Sequence, residues 1–89
     1  MVRAEILIIN KLGLHARAAA KFVTLASSFE SDIKVMRGTR CVNGKSIMGV
    51  MMLAAVKDSQ IEVSADGKDE ALAIEKIQGL IAERFGEEE

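Results

Sequence analysis

Asp32-Ile33-Lys34-Val35-Met36-Arg37-Gly38-Thr39-Arg40-Cys41-Val42-Asn43 reads as two short strands, 32–37 and 40–43, folded back on each other around Arg37-Gly38-Thr39. Glycine in the turn supplies the backbone freedom that a tight reversal needs. This hairpin decides the fold class, because the segments on either side of it are helical. Upstream, from about Ala16 to Ser27, Ala19, Phe22, Val23 and Ala26 fall on one stripe, and four alanines between 16 and 20 favour helix intrinsically. Downstream, Asn43-Gly44 ends the second strand and a short, Met-rich helix follows from Ser46 to about Leu53.

Residues 2–9 alternate as a strand, with Val2, Ala4, Ile6 and Ile8 on one face and Arg3 and Glu5 opposite. Asn10-Lys11-Leu12-Gly13 is turn-like, with Gly13 free to take positive φ. Residues 60–65 alternate in the same way and are closed by Asp66-Gly67. Residues 69–84 form the longest helix, carrying Ile74, Ile77, Leu80 and Ile81 at helical spacing. The order is β-α-β-β-α-β-α. It predicts an α+β layer, with helices on one face of a mostly antiparallel sheet and the other face left to solvent.

Eighty-nine residues, 49% of them apolar and 28% charged, describe one small globular domain, 1–89, with Gly86 to Glu89 as a frayed acidic tail. A formal net charge of −1 is no footprint for a general nucleic-acid binder, and three phenylalanines without Trp or Tyr offer no base-stacking platform. One cysteine, Cys41, excludes an internal disulfide and a Cys-rich zinc site, so a reducing compartment is expected. No apolar run approaches the roughly 18 residues of a membrane span, and Met1-Val2-Arg3 does not begin a signal peptide. The expectation is a soluble, cytoplasmic monomer without cofactor, metal or membrane insertion. A domain this short buries only about 60% of its unfolded surface, which favours a shallow site worked by a partner over an enclosed pocket.

The only histidine, His15, follows Gly13-Leu14 and falls at the N-cap of the alanine-rich helix, with Ala16 and Arg17 as its first residues. Ser, Thr, Asp and Asn are the usual caps, so the placement is uncommon. One reading is a surface histidine that happens to start a helix. The other is chemical. A helix N-terminus presents unpaired N–H groups and about half a positive charge. That field disfavours imidazolium, leaving a ring nitrogen free to attack, and it stabilises an anion attached there. Arg17 adds a permanent cation whose fork matches phosphate oxygens. No Asp or Glu lies between Asn10 and Phe29 to activate water, so the arrangement reads as capture and handover rather than hydrolysis.

Ser46 opens the short helix, either as an ordinary N-cap or as a phosphorylation site stabilised by the helix end and by Lys45. Gly44-Lys45-Ser46 is not a P-loop. The glycine required five positions before Gly44 is Thr39, and Gly38 misses by one. Ile47, Met48, Met51 and Met52 read either as core filling or as an exposed docking patch, since so short a helix cannot turn all of them inward. Two unrelated classes fail on spacing. A metal chaperone wants Cys-x-x-Cys, and a KH-type RNA module wants Gly-x-x-Gly, whereas Gly44 and Gly49 have four residues between them.

Gly13-Leu14-His15-Ala16-Arg17 before an alanine-rich helix, with Asn43-Gly44-Lys45-Ser46-Ile47-Met48-Gly49-Val50-Met51 some thirty residues later, strongly resembles the HPr family. These are the histidine-containing phosphocarriers of the bacterial phosphoenolpyruvate-dependent phosphotransferase system. The likeness covers nearly the whole chain. It implies an open-faced β-sandwich, a four-stranded antiparallel sheet covered on one face by three helices. It implies that His15 takes a phosphoryl group through Nδ1 from phospho-enzyme I and gives it to IIA domains, acting as a stoichiometric carrier rather than a catalyst. Arg17 would pair with the phosphate, as would the backbone of Ala16 and Arg17, with Ala18 a further candidate. Ser46 matches the site modified by an HPr kinase/phosphorylase, and Ala20, Ile47, Met48 and Met51 match the partner-docking patch. An alternative within the same fold is a purely regulatory module acting through phospho-Ser46, a reading in which position 15 has no use for a histidine. The chain departs from the family at Ala18, where proline usually follows the arginine. The entry Asn10–Gly13 is similar to nitrogen-related members, and Gly44–Met51 to carbon-system members.

Overall fold

The computed structural model describes residues 1–88. The elements follow in the order β1 (Val2–Leu7), α1 (Ala16–Ser27), β2 (Asp32–Arg37), β3 (Arg40–Asn43), α2 (Ile47–Met52), β4 (Gln60–Asp66) and α3 (Glu70–Ala82), with a short turn over Arg84–Gly86. The strands form one antiparallel sheet in the order β1-β4-β2-β3, so the predicted hairpin is its outer edge. Gly38 takes φ +61° in the hairpin turn, as the sequence requires.

Register explains why one face of the sheet is buried. Val2, Ala4 and Ile6 of β1 stand opposite Ala65, Val63 and Ile61 of β4, which in turn carry Ile33 and Val35 of β2 on their other side. Because the side-chain period is two, this apolar row faces the helices, and Arg3, Glu5, Lys34 and Glu62 face away. Glu5 and Glu62 are direct cross-strand partners of like charge. Arg3 lies 3.6 Å from Glu62 and the Gln60 amide donates to Glu5 at 3.1 Å, which offsets the repulsion. On the covered face, Ala18, Ala19, Phe22, Val23 and Ala26 of α1 and Ala73, Ile74, Ile77 and Ile81 of α3 close the core.

Two boundaries differ from the sequence reading. β1 ends at Leu7, and Ile8 bonds instead to the loop before β4, through its N–H to the Ser59 carbonyl and its carbonyl to the Asp58 N–H. α3 ends at Ala82, and Arg84 and Phe85 then take left-handed backbone, φ 57° and 55°, which reverses the chain. Burial of the Phe85 ring, fully enclosed in the core, opposes the cost of that conformation.

Asp69 sits at the start of α3 but caps a different segment. Its carboxylate accepts the Glu30 and Ser31 N–H groups at 2.9 and 3.0 Å and the Ser31 hydroxyl at 2.5 Å, tying α3 to the loop after α1. The Ser31 hydroxyl and the Glu30 amide hold the Asp69 carboxyl below its ordinary range. A depressed folded-state value means that this tie is fully present above the unfolded aspartate pKa of about 3.9 and is lost as pH falls through the lower folded value. Asp69→Asn is therefore expected to be less stable than the parent at pH 7, with the difference closing as the pH is lowered below about 4. Urea midpoints measured from pH 7 to pH 2 check this, and parallel curves for the two proteins would contradict it.

Candidate functional site

The site forms where β1 leaves the sheet. Asn10, fully buried, donates from Nδ2 to the Gly13 carbonyl at 2.9 Å, and the Gly13 N–H donates back to the Asn10 carbonyl at 3.2 Å. Gly13 adopts φ +67°, and a Cβ there would run into the carbonyl of Ala55, so both conformation and space demand glycine. The Leu14 N–H donates to that same carbonyl at 2.8 Å while its side chain enters the core. The residue before His15 is thus pinned on both sides.

His15 is the N-cap of α1, with extended backbone at φ −73° and ψ 179°. Its carbonyl accepts the Ala19 N–H at 2.8 Å, the first rung of the helix, so the amides of Ala16, Arg17 and Ala18 lie ahead of the ladder. The imidazole makes no capping bond to any of them, and the first turn holds no acidic side chain. The positive end of the helix therefore remains available to an outside anion. Arg17 is exposed beside it, and Ala18, which adds an amide where the family usually has proline, is buried.

The other end of the chain completes the site. The left-handed reversal at Arg84–Phe85, with Gly86 at φ +77°, aims Glu87 back at α1, and Lys21 of α1 fastens the turn by donating from Nζ to the Phe85 carbonyl at 2.6 Å. Glu87 Oε1 accepts from Asn10 Nδ2 at 2.8 Å, and Oε2 lies 2.5 Å from His15 Nε2. The Glu87 side chain is 13% exposed and the His15 ring 27%. Burial by itself would raise the Glu87 carboxyl, but hydrogen bonds from Asn10 and His15 and the nearby Arg17 charge outweigh it and hold the group below the usual carboxylate range.

Glu87 corrects the sequence reading twice. Gly86 and Glu87 are not a frayed tail, although Glu89 lies outside the described residues. The local absence of acid between Asn10 and Phe29 is also overcome in space, since a carboxylate does reach the imidazole. Phe85 is the local signal: an aromatic ring is more often buried than exposed, and its full enclosure draws its neighbours inward.

Ser46 is the N-cap of α2, and its hydroxyl accepts the Gly49 N–H at 3.1 Å. Lys45 does not turn to it. Its ammonium donates to the Phe29 carbonyl at 2.8 Å. In α2 only Val50 is buried, while Ile47, Met48, Met51 and Met52 are exposed, Met48 by 71%. The two readings of the methionines thus resolve toward a surface patch. α2 packs on α1, in which Ala20 is half-buried and borders a shallow groove with Leu80 of α3.

The family model described as the HPr component phosphorylation site of the phosphotransferase system matches residues 2–83. The chain is 54% identical over 89 residues to the phosphocarrier protein HPr of Neisseria meningitidis, covering all of both chains. The crystal structure of an HPr from Thermoanaerobacter tengcongensis superposes with a TM-score of 0.97 at 47% identity over the full length of both. A dimer form of HPr from the same organism gives a TM-score of 0.79 at 47% identity, over 98% of this chain and all of that one.

Removing the Ser46 hydroxyl leaves the Gly49 amide without its partner. Ser46→Ala is expected to lower stability by about 1 kcal/mol, the usual cost of a lost N-cap. A urea titration monitored by circular dichroism checks the value, and an unchanged midpoint would show that the cap does not support α2.

Proposed function

The chain belongs to the HPr family of bacterial phosphotransferase-system phosphocarriers, and from that premise we propose that His15 accepts a phosphoryl group from phospho-enzyme I and passes it to IIA domains. The observation that supports this most directly is a partly exposed imidazole at an N-cap that leaves the amides of Ala16, Arg17 and Ala18 without an intrahelical partner. In the transfer, the Nδ1 lone pair forms a bond to phosphorus while the bond to the donor breaks, its electron pair returning to the donor. The phosphoryl oxygens gain charge-assisted hydrogen bonds from the helix end and from Arg17. Nothing is consumed, and the reverse displacement by a IIA nucleophile empties the site. The protein is therefore a stoichiometric cytoplasmic carrier with no cofactor of its own.

Docking falls to Ala20, Ile47, Met48 and Met51. Exposed, unbranched methionine adapts to differently shaped partners, which suits a protein that must meet a donor and several acceptors on one face. A carrier working through one face functions as a monomer, with that face open. Ser46 supplies the regulation. Phosphorylation by an HPr kinase/phosphorylase would place a charge of about −2 at the start of α2, stabilised by the helix end and set beside the apolar patch, where it opposes the docking of an acidic or apolar surface.

Incubation with phosphoenolpyruvate and enzyme I is expected to add one acid-labile, base-stable phosphate, and His15→Ala to abolish it; label persisting in that variant would refute the assignment. Ser46→Asp is expected to slow acceptance from enzyme I on the order of 10-fold, about 1.4 kcal/mol in the barrier. Aspartate is itself a good N-cap, so the variant keeps the helix and isolates the charge. Acceptance rates equal to those of the parent would reject regulation through this patch.

A further inference from the structure

We propose that Glu87 is a positioning residue for the carrier histidine: it holds the proton of His15 on Nε2 and so leaves the Nδ1 lone pair as the nucleophile. The inference rests on the phosphocarrier reading and adds to it a residue from the opposite end of the chain, one that the sequence pattern around His15 does not contain.

Asn10, Glu87 and His15 form a chain of three hydrogen-bonded side chains with one consistent direction. Asn10 Nδ2 lies between two oxygens, the Gly13 carbonyl at 2.9 Å and Glu87 Oε1 at 2.8 Å, and both can only accept. The amide is thereby fixed with its NH2 group toward Glu87, because turning it over would set its oxygen against the Gly13 carbonyl. Glu87 is ionised, so its second oxygen, 2.5 Å from His15 Nε2, can also only accept. The ring nitrogen facing it must carry the hydrogen. In a neutral imidazole the other nitrogen, Nδ1, is then the one with a free electron pair. This is the logic by which a carboxylate selects a histidine tautomer in hydrolytic triads, here applied to a nucleophilic rather than a proton-transferring ring.

The same bond serves the group-transfer step. When Nδ1 attacks phosphorus, the N–P bond forms, the donor's bond breaks, and the ring, still carrying its Nε2 hydrogen, becomes cationic. Glu87 lies at the edge of the ring that gains this charge and stabilises it. No proton leaves or enters in either direction, so the ring departs as neutral imidazole when the acceptor takes the phosphoryl group. Lys11, Arg17 and Lys21 border the same groove as Glu87 and Glu88, so the cations outnumber the carboxylates toward an incoming phosphate.

The geometry makes a prediction opposite to the usual ranking of substitutions. Glu87→Gln is nearly isosteric, yet Asn10 requires an oxygen opposite its NH2 group, and that turns the glutamine NH2 toward His15. A donor at that position calls for a lone pair on Nε2 and drives the hydrogen to Nδ1. Glu87→Ala merely admits water, which accepts or donates. The test is the ring 15N chemical shifts of His15 at about pH 8.5, where an ordinary histidine is neutral, together with the rate of phosphoryl acceptance. The Nε2–H form is expected to dominate in the parent and in Glu87→Asp, and the Nδ1–H form in Glu87→Gln. Acceptance should fall on the order of 10- to 100-fold in Glu87→Gln, the range that losing an orienting partner of a histidine costs elsewhere, and less in Glu87→Ala. Ring shifts unchanged among the variants, a Glu87→Gln protein no slower than Glu87→Ala, or a phosphoryl group found on Nε2 would overturn the proposal. If the parent takes up no phosphate at all, the carrier reading fails, while the shifts, measured without any donor, still decide the role of Glu87.

Discussion

An α-helix cannot satisfy its own first amides, and everything at this site follows from leaving that deficit unfilled. At α2 the chain behaves conventionally, the Ser46 hydroxyl accepting from the Gly49 amide; at α3 the N-cap Asp69 is spent on the loop after α1, but the acidic Glu70 stands in the first turn. At α1 the N-cap is a histidine that makes no capping bond, and no acidic side chain follows it in the first turn. Forgoing a good cap costs about 1 kcal/mol. In exchange, a positive helix end stands open beside an imidazole and an arginine. A site for a transient anion needs donors that are fixed in place yet unengaged, and a missing cap provides them without any added residue.

Holding such a terminus still is the work of the rest of the fold. The Ala55 carbonyl accepts from Leu14 and lies too close to Gly13 for any side chain there, so the loop ahead of α1 is clamped to the segment after α2. The buried stripe of α1, from Ala18 to Ala26, then fixes the helix axis against the sheet. Ala18 and Ala19, both fully buried, seat the first turns of the helix in the core where the site begins.

Most of the architecture was legible because it rests on local periodicity. The alternation in β2, β3 and β4, the glycine of the hairpin turn and the alanine stripe of α1 each declare themselves within a dozen residues, and the observed elements fall on them with at most two residues' difference at the ends. His15 and Ser46 were legible for the same reason, as their meaning comes from being at helix starts. The methionines of α2 could not be assigned from periodicity, since a six-residue helix shows too few turns to define an inner face, and only the packing of Val50 decides it. Glu87 was invisible to a local reading. It is 72 residues from His15, and only the left-handed reversal at Phe85 brings the two together.

That reversal joins stability to function. Phe85 is fully buried while holding a backbone conformation that costs a non-glycine residue about 1–3 kcal/mol. Enclosing a phenylalanine ring recovers a comparable amount, and the Lys21 ammonium binds the carbonyl that the turn exposes. The end of the chain is thus anchored one residue before Gly86 and two before Glu87, close enough to deliver a carboxylate to His15 with little freedom left to lose. An acidic tail attached to a flexible helix end would hover near the positive terminus of α1 and compete with phosphate for it. Anchored as it is, Glu87 meets the ring at Nε2 instead, and the same charge that would block the amides from an incoming anion is held at the imidazole.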